Sequence, residues 1–584
     1  MHTLAQSSQF LIFLGGLCYY LALPPVNFAP LALAVPICWG MVIRRKNPHP
    51  PCLISMALPK GEGTLDSLLP SAVCRLPSLF AVYLTAYLFW LASVYWVAFP
   101  CFPLTGFGLL VLSAVLSLYW VIFFVAARTA VHRFHVPLLV AMPLCWIGTE
   151  YLRCHIFGGF SFCALEHALY RYPSLLQFAS YGGSLLVGGI IMFVGTAFVT
   201  GIYMPKRHFR IVHVLFCVLP LILLFVYVGL APFITGSSLI RLHLLTPYSI
   251  IALQGSRQVY IDSDMKAADE TFGQFIRLTR QTIKELKENE KPLPDLIVFP
   301  ETVCHVPVLQ FEGTVKPADI GFTEEEATQW ERDFRKFADE IETPILLGLS
   351  TYTFKDNPDK PIRLNSALLV QPSVGDEPSK MYRYDKMHLV MFGEYVPFTE
   401  YLPDDFILKT VCPEAEHGTK PVAIPIGQGR EKIAEASINI CFESSVAHMI
   451  RKQILTLRTE GHDPQVLINL SNDGWFRFSH EIEQHLATHV FRAVENGMPY
   501  ITATNGGFSA IIDRCGNIQN IGERGAAESV AGQIFLNLDN PLPQTIYLKY
   551  GDWYALPLAL GVLFLVGFSL FRRERAAESQ NSAG

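Results

Sequence analysis

Charge is scarce in this chain. Asp, Glu, Lys and Arg make up 16% of its 584 residues, against about 25% in soluble globular proteins. The shortage is uneven. Residues 1–235 and 552–571 are apolar with sparse charge, whereas 236–551 hold most of the Asp, Glu and Lys. One uniform soluble domain is excluded, and a membrane-embedded part joined to a polar part large enough for its own core is expected. A basic tract is also missing. With a net charge of −5 and only short Lys/Arg clusters beside apolar runs, nucleic acid is not an expected partner. The 13 cysteines show no CxxC and no paired His/Cys spacing, which leaves zinc and dithiol chemistry without support. Most lie in or beside apolar runs and read as small hydrophobes; Cys441 stands among polar residues instead. The first apolar run lacks a basic start and a small-residue cleavage site, so it reads as a retained span and not a signal peptide. No repeat or low-complexity segment stands out.

What is present is a series of apolar runs. A spanning helix needs about 20 mostly apolar residues. The candidates are 8–24, 28–43, 78–99, 104–127, 135–152, 181–203, 211–232 and 552–571, the first two short and broken by Pro24-Pro25 as in a tight helical hairpin. Lys and Arg collect in alternate loops: Arg44, Arg45, Lys46, Lys60 and Arg75; Arg128 and Arg133; Lys206, Arg207 and Arg210; and Arg572, Arg573 and Arg575 after the last run. The opposite loops are poorer. Positive residues stay in the cytoplasm, which puts both termini there and 236–551 outside, in the periplasm of a cell with two membranes. The expected organisation is a seven-span domain over 1–235, an external domain over 236–551, a C-terminal spanning helix over 552–571 and a cytoplasmic tail over 572–584. Segment 153–180 mixes aromatic residues with His155, Glu166, His167 and Arg171. It is expected in the membrane interface plane, as a connector on lipid headgroups or as a surface that gathers phospholipid.

Within 236–551, short β-rich runs at 249–253, 295–299, 345–350, 366–371, 433–441, 466–470, 500–504 and 509–513 predict strands. Amphipathic helices are predicted at 264–288, at 323–340 with a Thr323/Glu326 capping box, and at 480–496. The alternation implies layered α/β architecture.

Four motifs follow these strands, where α/β proteins tend to carry their chemistry. They are Phe299-Pro300-Glu301; Tyr384-Asp385-Lys386-Met387-His388 with Phe392-Gly393-Glu394-Tyr395 after it; Asn439-Ile440-Cys441-Phe442-Glu443; and Asn469 to Phe476. Taken singly each has an ordinary reading: a capping Glu, a solvated Lys, a buried Cys, a turn. Taken together they suit acyl transfer. A thiol is mostly protonated at neutral pH, a carboxylate can take its proton, and a lysine cation favours the thiolate and an oxyanion.

These motifs resemble the nitrilase, or carbon–nitrogen hydrolase, superfamily. The whole chain is similar to its membrane branch, the apolipoprotein N-acyltransferase family, through the KMHLVMFGEYVPF, ICFE, SNDGWF and RAVENG…TNGGFSAIID runs. The resemblance implies a polytopic α-helical membrane domain plus an α-β-β-α sandwich. It implies Glu301 as general base, Lys386 as oxyanion stabiliser and Cys441 as nucleophile, with Glu394, Asn365, Phe442 and Glu443 in support. Phe299 and Phe442 stand where the family usually has Trp and Tyr, Met391 where it often has Pro, and Ser256 and Ser263 where it usually has Asn and Trp. The implied reaction moves an acyl chain from a phospholipid, through a Cys441 thioester, to the α-amine of a diacylglyceryl-cysteine on a lipoprotein at the inner membrane. It requires no metal or cofactor. A membrane-tethered amidase and a non-catalytic scaffold are the rival readings.

Overall fold

The computed structural model describes residues 7–45, 76–203, 245–259, 265–375, 378–401, 403, 415–427, 433–536, 538 and 544–581. The chain forms two compact units. One comprises Met1–Ala98, Phe102–Phe233 and Asp552–Gly584; the other comprises Phe99–Cys101 and Ile234–Gly551.

The first unit is helical: α1 (Ser8–Ala22), α2 (Leu31–Arg44), α3 (Leu76–Ser93), α4 (Leu104–Arg133), α5 (Leu138–His155), α6 (Ala179–Ile202) and a last helix, Ala555–Asn581. By length and composition α4 and α6 are apolar and long enough to cross a membrane; α1, α2, Leu79–Ser93 and Ala555–Phe571 are shorter apolar helices. The candidate span 211–232 and the loop cations Lys46, Lys60, Arg75, Lys206, Arg207 and Arg210 lie outside the described residues. Aromatic rings fill the interior. Tyr19 stacks on Trp120 at 5.7 Å, and Trp39 meets Trp120 edge-on at 4.6 Å, pairs that each add about 0.5–1.5 kcal/mol beyond burial.

Segment 153–180 differs from the surface connector expected. Arg153, Phe162, Leu165, Glu166, His167 and Tyr170 are buried, while Phe157 and Tyr172 remain exposed. The cause is an ion pair at its root. Buried Arg153 engages Glu150 and also donates to the carbonyls of Phe160 and Phe162 (3.0 Å for the latter), which folds the following loop back onto the unit.

The second unit is built on two mixed sheets. One contains β1 (Thr246–Gln254), β2 (Leu296–Val298), β3 (Cys304–Phe311), β4 (Ile345–Phe354), β5 (Ile362–Val370), β6 (Met381–Asp385) and β13 (Glu528–Leu536), in the order β13-β1-β2-β4-β5-β6, with β3 on β4. The other runs β12 (Ile518–Ile521), β11 (Ala510–Ile512), β10 (Tyr500–Asn505), β9 (Val466–Asn472), β8 (Ala434–Ile440), β7 (Ala423–Ile426). Strand side chains alternate between faces. Ile250, Ala252, Leu296 and Val298 therefore join Ile438, Ile440, Ile468, Leu470 and Ile501 in one core between the sheets. Their neighbours Ile251, Leu253, Ile297 and Phe299 pack the other way, against α7 (Met265–Glu288) and α8 (Gln329–Ile341). Helices α9 (Ala447–Thr459) and α10 (Glu481–Asn496) complete the unit. The helix expected over 323–340 is two pieces. Glu324–Ala327 ends at Thr328 (φ −104°, ψ 3°), whose hydroxyl donates to the Glu324 carbonyl, and α8 starts afresh.

Candidate active site

Strands β1, β2 and β4 are mutually parallel through β2, as are β8, β9 and β10. Strand β6 is antiparallel to β5, and β5 to β4, so β6 runs with β4. The residues after β2, β6, β8 and β9 consequently gather at one end of the two sheets, with Asn365 joining from the early part of β5.

Glu301 is buried two residues past Phe299, and Thr302 follows at φ 48°. The turn passes directly over Gly348 of β4: a Cβ there would lie 2.2 Å from the Pro300 carbonyl oxygen, so no other residue fits without moving Glu301. Glu301 Oε1 accepts from Asn365 Nδ2 at 2.7 Å and Lys386 Nζ at 3.4 Å; its Oε2 accepts from the Asn472 backbone N–H at 3.0 Å.

Lys386 follows β6, and its backbone N–H donates to the Asn365 carbonyl at 2.8 Å. Its ammonium is buried and also meets Glu394 Oε1 at 2.9 Å. Asn365 Nδ2 bridges to the same Glu394 oxygen at 3.1 Å, and the Val390 N–H holds the other at 2.8 Å. Burial alone would lower the lysine pKa; Glu394, then Glu301 and Cys441, overcome it and raise it well above the usual value. Glu394, against its own burial, is held below the ordinary carboxylate range by Lys386. Lys386 is a fixed cation between two carboxylates.

Cys441 directly follows β8 and opens a short 3-10 helix, Cys441–Ser445, with φ 52°. A positive φ at a non-glycine residue is uncommon and persists only where surroundings enforce it. Here the Cys441 carbonyl accepts from Ser444 Oγ at 2.9 Å and Asn469 Nδ2 at 3.2 Å. Burial, then the Glu301 and Asp473 carboxylates, push the thiol pKa well up, against Lys386.

Glu443 ties this turn to the lysine segment. Its carboxylate accepts from the N–H groups of Ile440 (2.7 Å), Met387 (2.8 Å) and His388 (2.9 Å) and from the Tyr384 hydroxyl (2.9 Å). Burial raises its pKa to about 7, against Lys386 and these donors. Phe442 stacks on the His388 ring at 5.9 Å. All seven residues singled out in the sequence thus belong to one constellation.

Sequence reasoning did not assign roles to Ser471, Asn472, Asp473 or His485. Three of them sit in the Asn469–Phe476 run, whose composition reads as a turn; His485 lies on an amphipathic helix and carries no local signal. Asp473, Glu481 and His485 are buried with donor atoms within 4.8 Å of one another, the spacing of a cation site. His485 Nδ1 already engages Asp473 at 3.2 Å, and Asp473 accepts from Ser471 Oγ at 2.6 Å, so the group is internally bonded.

Residues 67–197 match the model of the apolipoprotein N-acyltransferase N-terminal domain, and residues 257–534 match that of carbon-nitrogen hydrolase. The apolipoprotein N-acyltransferase of Geobacter metallireducens is 28% identical over 75% of this chain and 75% of its own length. Apolipoprotein N-acyltransferase 1 of Treponema denticola is 24% identical over 78% of this chain and 82% of its own. The Pasteurella multocida protein of the same name is 25% identical over 80% and 81%. The resemblance carried by the motifs extends along most of the chain.

Proposed function

We infer that this chain is an enzyme of the apolipoprotein N-acyltransferase family, and that it moves an acyl chain from a phospholipid to the N-terminal amine of diacylglyceryl lipoproteins through a thioester on Cys441. The observation that carries the reading is the convergence of a buried lysine cation, two carboxylates and a cysteine at one end of two sheets. Relatives bearing that name along most of the chain support the reaction class.

The geometry supports assigning roles as follows. The thiol is held protonated, so attack needs concerted removal of its proton, and Glu301 is the base. The thiolate adds to the ester carbonyl, and the oxyanion forms against Lys386. The C–O bond breaks, Glu301 returns the proton to the departing lysophospholipid oxygen, and a thioester remains. The lipoprotein α-amine then adds to the thioester, loses a proton to Glu301 and expels Cys441, which regains that proton as an amide forms. Glu394 and Asn365 keep Lys386 and Glu301 apart but aligned. Glu443 fixes the distance between the nucleophile turn and the lysine segment. We assign the helical unit to the bacterial inner membrane as a polytopic anchor. On that reading the second unit faces the periplasm, where both lipid substrates present their headgroups.

The test is intact mass after incubation with phospholipid alone. The expected result is a hydroxylamine-sensitive gain of one acyl chain, absent in Cys441→Ala and discharged by a diacylglyceryl lipopeptide. Discharge by water at an equal rate would instead identify a tethered hydrolase, and no adduct at all would identify a scaffold.

A further inference from the structure

Beneath the nucleophile lies a polar network that the mechanism above does not use. Ser444, Ser471, Asp473, Glu481, His485 and His489 are all buried. His485, on α10, faces two ways. Its Nδ1 meets Asp473 Oδ1 at 3.2 Å and Glu481 Oε1 at 3.5 Å, and its Nε2 meets Ser444 Oγ at 2.8 Å. The Ser444 hydroxyl gives its hydrogen to the Cys441 carbonyl, so Nε2 is the donor in that contact. His489 Nε2 approaches the same hydroxyl at 3.2 Å and stacks on Tyr500 at 5.0 Å. Ser471, on β9, gives its hydroxyl hydrogen to Asp473 at 2.6 Å and so braces the same carboxylate. One chain of polar contacts therefore runs from the Asp473–His485 pair through Ser444 to the Cys441 carbonyl.

We propose that Asp473 and His485 are positioning residues for the nucleophile, acting through Ser444 to hold the left-handed Cys441 backbone, and with it the thiol, in the attacking geometry. The proposal rests on Cys441 being the nucleophile. Groups of this kind stabilise nothing in the transition state directly. They act on alignment, where a misplacement of about 1 Å can cost about 10²-fold in rate.

The experiment measures the pH dependence of Cys441 alkylation by iodoacetamide, followed by intact mass with Cys441→Ala as blank, beside kcat and KM for acyl transfer in the full-length protein. The charged groups facing the thiol are Glu301, Lys386 and Asp473. Removing the Asp473 charge in Asp473→Asn lowers the alkylation midpoint, yet kcat falls about 10²-fold with KM little changed. Ser444→Ala, which removes the hydroxyl between His485 and the Cys441 carbonyl, lowers kcat with KM little changed. His485→Gln, which keeps one donor, retains more activity than His485→Ala. A thiolate formed more readily in a slower enzyme is the signature of lost alignment. A midpoint unmoved in Asp473→Asn, with the activity of Asp473→Asn and Ser444→Ala tracking only the folded fraction, would overturn the proposal. Ser444→Ala decides alone if the charged-site variants do not fold. Absence of a phospholipid-derived adduct in the unmodified protein would instead overturn the nucleophile assignment.

Discussion

Each unit of this protein buries a cation against carboxylate, and Arg153 and Lys386 do it with different stoichiometry. In the helical unit Arg153 has one carboxylate, Glu150, and spends its remaining donors on the Phe160 and Phe162 carbonyls. In the second unit Lys386 has two carboxylates, Glu301 and Glu394, with Asn365 shared between them. The first arrangement is closed: cation and anion cancel, and the guanidinium clasps a loop. The second holds one more anion than cation, which leaves a carboxylate to take a proton and a cation to face new negative charge. Counting partners separates the Arg153 ion pair from the proposed catalytic one where burial does not, since both cations are nearly inaccessible.

The strongest way to test that contrast is to delete each cation. Lys386→Met should abolish most acyl transfer, by about 10²–10³-fold, and also destabilise the second unit by about 3–5 kcal/mol through two uncompensated carboxylates. Arg153→Met should cost similar stability in its own unit while thioester formation per folded molecule falls far less. Equal loss of thioester formation in the two variants would break the comparison. Thermal unfolding and intact mass measure both.

A milder test uses two glycines. A Cβ at Gly348 meets the backbone of Pro300, whereas one at Gly188 meets the Glu166 Oε2 atom at 2.6 Å. The first obstacle cannot move without carrying Glu301 with it; the second is a side-chain tip. Gly348→Ala should therefore cost about 1–3 kcal/mol and reduce acyl transfer about 10²-fold. Gly188→Ala should cost less in both, as read by unfolding and lipopeptide acylation.

The smallest expected effect is in pH. Glu394 has a folded pKa below its ordinary 4.5. Its stabilisation is complete above that value and lost as pH falls through the depressed one. Lys386 is raised. Its contribution is complete below about 10.4 and lost as pH rises through the folded value. Glu443, raised by burial to about 7, contributes fully below its ordinary 4.5 and loses that contribution as pH rises through about 7. Unfolding temperatures of the second unit should therefore slope down across that window as well as fall at both limits. Glu394→Gln should flatten the acid limb and weaken the alkaline one, since Glu394 is the first group that raises Lys386.

The seven residues of the proposed catalytic constellation could be picked out because they stand in short runs at strand ends, where types and order survive without coordinates. Eight strands were legible for a related reason: apolar β-branched runs have few other uses. Five strands escaped notice: β13 has apolar residues but is broken by Ala531-Gly532-Gln533, and β3, β6, β7 and the Ile-Gln-Asn-Ile of β12 lack that pattern. β3 (Cys304–Phe311) is half-buried and includes His305 and Gln310, β6 reads Met-Tyr-Arg-Tyr-Asp, and the four-residue β7 contains Pro425. The break at Thr328 was hidden by continuous helical periodicity on both sides. His485 was illegible for another reason. A histidine on a buried helix face gains meaning only from Asp473 and Ser444, which reach it from separate segments.

One feature bears on how this chain can change over time. In β9 the residues Val466, Ile468 and Leu470 fill the core between the sheets, while Asn469 and Ser471 face the other way, Asn469 donating to the Cys441 carbonyl and Ser471 to Asp473. A side-chain period of two means that a one-residue deletion exchanges the sets, sending amides and hydroxyls into the apolar layer and leucines under the nucleophile. Apolar substitutions along the strand should be tolerated far better than any change in its length, which makes β9 a measuring rod whose divisions matter more than its material.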